Sequence, residues 1–82
     1  MKIFSVYDSK AETFLQPFFA QRTEVAIRNF AYAASNTETD IGRFPTDYTL
    51  FEIASWNPDN GTIESLPTAV NHGIAASYIK GK

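Results

Sequence analysis

The stretch "DYTLFEIASWNPDNGTIESLP", residues 47–67, decides the fold. Pro58 suits the first corner of a turn and Asn60–Gly61 supplies positive φ, so the segment reads as a β-hairpin closed by a five-residue loop, 57–61. That loop sets Trp56 opposite Thr62, Ser55 opposite Ile63 and Ala54 opposite Glu64. One face then carries Phe51, Ile53, Ser55 and Ile63; the other carries Tyr48, Leu50, Glu52, Ala54, Trp56, Thr62 and Glu64. A hairpin packed on one side should be apolar inside and polar outside. This one is apolar on both. The Phe51/Ile53/Ile63 set is expected to face the core, which leaves Tyr48, Leu50 and Trp56 where water should be.

The rest of the chain supplies the packing partners. "KIFSVYD" alternates and predicts a strand over 2–7, with Phe4 and Val6 on one side and Ile3 and Tyr7 on the other. "TFLQPFF" is a second apolar run, but Pro17 removes a ladder donor and limits it to an edge or bulged strand. "RTEVAIRNFAYAAS", 22–35, is the clearest helix, with Thr23 as its expected cap and Glu24 at its positive end. Ile27, Phe30, Ala31 and Ala34 recur at helical spacing and predict the stripe that meets the hairpin, while Val25, Arg28, Asn29 and Tyr32 lie opposite. "SNTETDIGRFPTD" reads as a polar loop broken by Gly42 and Pro45. After Pro67, Val70, Ile74 and Tyr78 recur every four residues and predict a short C-terminal helix, which Gly73 weakens. The expected fold class is α+β: one domain over 1–82, a small mainly antiparallel sheet with one helix packed on one face.

Composition narrows the chemistry. With 82 residues there is room for one core, and such a chain buries roughly 60–65% of its unfolded surface. It has no cysteine, which removes disulfides, thiolate metal sites and thiol catalysis together. A small core without staples often gains an interface with a second copy, so a homodimer is expected. The longest apolar runs are a few residues, too short to span a membrane. "MKIFSVYDSK" lacks the unbroken apolar centre of a secretion signal, so the expected location is the cytoplasm of the producing cell.

No catalytic, metal or cofactor residues are expected. His72 stands alone as the single histidine, and the isolated glycines make no phosphate-cradling loop. Glu52 and Glu64, near-diagonal on an open face, read as a solvated pair rather than an acid and a base. Single-stranded nucleic acid is held by flat aromatic surfaces and by cations that follow its backbone. Tyr48 and Trp56, with Tyr7 on the neighbouring strand, could supply the first; Arg22, Arg28, Arg43, Lys80 and Lys82 could supply the second. Glu52 and Glu64 beside that platform, and a net charge of −2, oppose it. The plainer reading makes the outer aromatics a dimer interface or a contact for the C-terminal segment. Arg28 and Tyr32, one helical turn apart, read as a surface cation–π pair.

Taken in order, "MKIFSVYDSKAETFLQPFF", "EVAIRNFA" and "FPTDYTLFEIASWNPDNGTIE" resemble the small nonstructural protein of gokushovirus-type microviruses, phages with circular single-stranded DNA genomes. The resemblance covers residues 1–64 and rests on the order and spacing of these pieces. It implies a nonstructural accessory protein of viral DNA replication in the host cytoplasm, with single-stranded DNA as the ligand usually proposed and no catalytic residues. The matching positions that could touch DNA or a partner are Tyr7, Arg28, Tyr48 and Trp56, to which the loop cation Arg43 is added. The alternative is a homodimeric adaptor that docks on a host or viral replication protein without touching DNA.

Overall fold

Alternation in the first residues builds the central strand β1, Lys2–Asp8, with Phe4 and Val6 buried on one face and Ile3 and Ser5 buried on the other. A computed structural model, which describes residues 1–79, places this strand in a five-stranded, antiparallel α+β sheet. β2, Thr13–Phe14, and β3, Phe18–Ala20, both pair with the same edge of β1. As the sequence predicts, Pro17 interrupts this edge: residues 15–17 separate the two short strands, although the Leu15 amide still donates to the Val6 carbonyl at 2.7 Å. On the other edge of β1 lies β4, Tyr48–Asn57, followed by the outermost strand β5, Thr62–Ile74.

Helix α1, Thr23–Ala34, covers one face. Its cap position is Arg22, without a side-chain cap bond, so Thr23 is the first helical residue and not the cap. Ala26, Phe30, Ala31 and Ala34 are its buried residues; Ile27 and Val25 flank them, half-buried against the core. The expected stripe is therefore rotated slightly: Val25 and Ala26 join it and Ile27 moves to its margin. The polar loop after α1 folds into a single turn, α2, Asp40–Arg43. Thr39 caps it by accepting from the Gly42 amide at 3.0 Å, while its hydroxyl reaches back to the carbonyls of Ala33 and Asn36.

Three expectations are corrected by the sheet. Against β4, the core is built from Phe4, Val6, Tyr48 and Leu50 beneath Phe30, Ala26 and Ala34. The hairpin thus packs the face opposite to the expected one: Leu50 is fully buried, whereas Ile63 is 60% exposed. Both faces offer apolar side chains, so alternation alone does not choose between them. The register is also off by one, with Trp56 opposite Ile63 and Asn57 opposite Thr62. The turn thereby shortens to residues 58–61, since the Asn57 side chain caps it by accepting from the Asp59 amide. Finally, the segment after Pro67 does not form the expected helix. It extends β5 to Ile74, because the free edge of β4 offers its backbone a ladder, and Gly73 takes φ of +106°, which no helix accepts. Helical geometry returns only as a 3-10 turn, Ala75–Tyr78, whose Ala75 is fully buried and whose Tyr78 ring meets Phe30 edge-on at 6.0 Å.

Three irregularities shape the strands; in one, β4 advances by two residues, from Phe51 to Thr49, while β5 advances by three, from Asn71 to Ile74. β1 advances by one residue, from Ile3 to Phe4, while its partner advances by two, from Ala54 to Glu52, so Ile53 is an extra residue in β4. Across β5 the mismatch is larger: Ala54 faces Ser65 and Glu52 faces Val70, leaving residues 66–69 opposite Ile53 alone.

Candidate functional site

Side chains paired across neighbouring strands share a face. Applied from β1 outward, this assigns Lys2, Phe4, Val6, Asp8, Tyr48, Leu50, Glu52, Ser55 and Glu64 to the helix side. The outer side receives Ile3, Ser5 and Tyr7 from β1, Phe14 from β2, Phe19 from β3, and Thr49, Phe51 and Ala54 from β4. The extra residue Ile53 inverts the alternation of β4. Beyond it, Trp56 changes sides and joins the outer face with its partner Ile63.

The outer face is aromatic and open. Phe14 lies between Tyr7, centroid separation 4.8 Å, and Phe51, 5.8 Å, so three rings form one continuous cluster. Phe14 is 51% and Phe19 50% exposed. Beside them, Ser5, Phe14, Leu15, Gln16, Pro17 and Ile53 line a shallow depression of about 570 Å³. Its polar lining residues are Gln16 and Ser5, and the Ser5 hydroxyl donates to the Leu15 carbonyl at 2.7 Å and is thereby satisfied.

Charge is distributed with the opposite sense. Among the described residues, every ionisable strand residue other than Tyr7 falls on the helix side: Lys2, Asp8, Tyr48, Glu52, Glu64 and His72. Glu52 is held between Lys2 Nζ at 3.2 Å and His72 Nε2 at 3.3 Å, and the His72 ring packs near Phe4. This trio replaces the expected Glu52/Glu64 pair, which the register separates. The Tyr78 hydroxyl donates to the His72 carbonyl, closing that end of the core. No group of three or more His, Cys, Asp or Glu side chains is placed to hold a metal ion among the described residues. No helix of the described residues is long and apolar enough to cross a membrane.

The five residues singled out in the sequence do not converge. Tyr48 is buried beneath the helix side, 7% exposed, with no flat surface to offer a base. Burial raises its phenol pKa above the usual tyrosine value, and the carboxylates of Asp8, Asp40 and Asp47 push the same way. Arg28 is exposed on α1, on the opposite side of the sheet from the open face. Arg43 is engaged locally: its Nε donates to the Thr37 carbonyl at 3.1 Å and its Nη1 lies 3.8 Å from Asp40. Tyr7 and Trp56 do share the outer face, but Tyr7 sits opposite Thr49, seven residues from Trp56 along β4. At about 3.3 Å per residue they are roughly 20 Å apart. Lys80 and Lys82 lie outside the described residues. Sequence reasoning missed Phe14, Phe19 and Ile63, whose signal was the outward parity of Ile3 and Tyr7 on β1.

The sequence profile of the Phage ORF5 protein family matches residues 1–76. No curated protein and no solved structure matches the chain.

Proposed function

The chain belongs to the Phage ORF5 protein family, and from that premise we propose that it is an accessory protein of viral DNA replication that acts by binding, with its outer sheet face as the binding surface. The observation that carries this is the separation of chemistry across one sheet: open rings at Phe14 and Phe19 on one side, charge on the other. Isolated surface apolar residues are ordinary, but a contiguous apolar patch on a small protein marks an interaction site. The narrower likeness to gokushovirus-type proteins supplies the setting, replication of a single-stranded DNA genome. Within it the face suits a protein contact, as in a homodimeric adaptor docking on a host or viral replication protein.

A second reading keeps single-stranded DNA as the ligand. It is favoured by the ring cluster of Tyr7, Phe14 and Phe51, because bases stack on aromatic faces for about 1–3 kcal/mol each. It is opposed by the lack of cations at the strand positions of that face among the described residues, since phosphate contacts dominate such affinities. Two experiments test the proposal. A phage whose copy of this gene carries an early stop codon should accumulate less viral DNA in infected cells; normal accumulation overturns the replication role. Titrating labelled single-stranded DNA at two salt concentrations decides the ligand. The adaptor reading expects no tight complex at either; a tight complex that weakens steeply with salt gives the face, or the arginines, to DNA.

A further inference from the structure

We infer that the outer sheet face is a self-association surface, on which a second copy of this chain packs its own outer face to make a two-sheet sandwich. The inference rests on the reading of that face as the binding surface and names its occupant. Four observations converge on a second copy.

The first is area. Phe14, Phe19 and Ile63 are 51%, 50% and 60% exposed, and the half-buried Phe51, Ile53 and Trp56 extend the patch between them. With full side-chain areas of about 150–250 Å² for the aromatics, the patch offers roughly 350–500 Å² per copy. Two copies then bury about 700–1,000 Å², the size of a weak interface that dissociates on dilution. The second is charge. A two-fold interface sets one patch against its own copy, so a charge on it must find its opposite on the same patch or be buried unpaired. This face has none among its strand positions, whereas the helix side carries Lys2, Asp8, Glu52 and Glu64. A polyanion would need the cations that the face lacks.

The third is shape. Sheet faces stack about 10 Å apart with interleaved side chains. The depression of about 570 Å³ beside Phe14 and Ile53 gives a facing side chain somewhere to enter. The fourth is coverage. The helix covers one face only; on the other, Ile3, Ser5 and Ala54 are buried by their neighbours, while Phe14, Phe19 and Ile63 stay exposed with nothing packed over them among the described residues.

Light scattering across a dilution series of the full chain tests this. The expected species is a dimer that dissociates on dilution. Ile63→Glu and Phe19→Glu should each raise the dimer Kd by roughly thirtyfold or more, the effect of losing an interface anchor. Tyr32→Glu, on the 74%-exposed far side of α1, should leave Kd unchanged. Circular dichroism establishes that each variant is folded. The wild-type protein gives a second readout that needs no variant: Trp56, the chain's one tryptophan, lies on the proposed interface, so its emission should shift to the red as the dimer dissociates.

A wild-type chain that stays monomeric at high micromolar concentration overturns the inference. So does a dimer weakened by Tyr32→Glu but not by Ile63→Glu or Phe19→Glu. A monomer that binds single-stranded DNA through Phe14 and Trp56 also overturns it, but leaves the face as the binding surface. Normal viral DNA accumulation without the gene would overturn the replication role alone, and the dimer would stand.

Discussion

Replacing Leu50 by alanine tests which face of β4 the core occupies. Leu50 is fully buried between Val6, its partner on β1, and the residues of α1, so the substitution leaves a cavity. Such truncations cost about 2–5 kcal/mol, depending on how far the site collapses. A chain of 82 residues has roughly 4–12 kcal/mol to lose, so one methylene-rich side chain holds a large share of its stability. At about 4–8 °C per kcal/mol for a domain of this size, Leu50→Ala should lower Tm by at least about 8 °C. Ile63→Ala removes a side chain that is 60% exposed and should shift Tm of the monomer by no more than about 2–4 °C, from a cost near 0.5 kcal/mol. Both are measured by thermal unfolding followed by circular dichroism, at concentrations dilute enough to keep the chain monomeric. If Ile63→Ala proves the costlier of the two, the core lies on the Phe51/Ile63 side and the face assignment fails.

Two further outcomes follow from local geometry. Gly42→Ala should destabilise the protein by about 1–3 kcal/mol or more in a urea titration, because a Cβ there would lie 2.0 Å from the Asn36 carbonyl oxygen; an unchanged midpoint would show that α2 is not docked on the end of α1 as described. The raised pKa of Tyr48 makes stability pH-dependent in one direction: its contribution is whole below about pH 10, where the unfolded phenol ionises, and is lost as pH climbs from there through the higher folded value. Tyr48→Phe should therefore lose less stability than wild type between about pH 9 and pH 11, and parallel losses in the two proteins would refute the burial argument.

Much of the fold is legible in the residues. The alternation of "KIFSVYD" assigns Phe4 and Val6 to one side and Ile3 and Tyr7 to the other, and the structure agrees. Pro17 marks the broken edge, and the helix with Phe30 at its centre lies within a residue of its expected limits. What the residues do not show is which side of β4 the helix covers. Glu52 shares a face with Leu50 and so suggested that this face meets water. In the fold, Lys2 and His72 satisfy its carboxylate at the edge of the core, and the charge becomes compatible with burial. The site was harder still to read. Trp56 reaches the outer face through one unpaired residue at Ile53, and nothing in "FEIASW" announces an insertion, since a bulge depends on how the neighbouring strands align. Beyond Pro67, spacing by four mimicked a helix; only the vacant edge of β4, a tertiary fact, makes that segment extended.

The uneven course of β5 bears on how large an assembly can grow. A sheet with exposed apolar side chains on one face and a 13-residue strand on its border has the ingredients of a fibre, because a bare border templates the next strand. Here the border is broken midway. Residues 66–69 bow out opposite a single β4 residue, and Pro67 in their midst has no N–H to give. A newcomer could therefore zip along a few residues on either side of the bow, but never along the whole length. Growth along this border is opposed by backbone geometry, and the proposed face-to-face packing would end after one step because α1 covers the other face. On the proposed self-association, the chain would thus reach a finite stoichiometry.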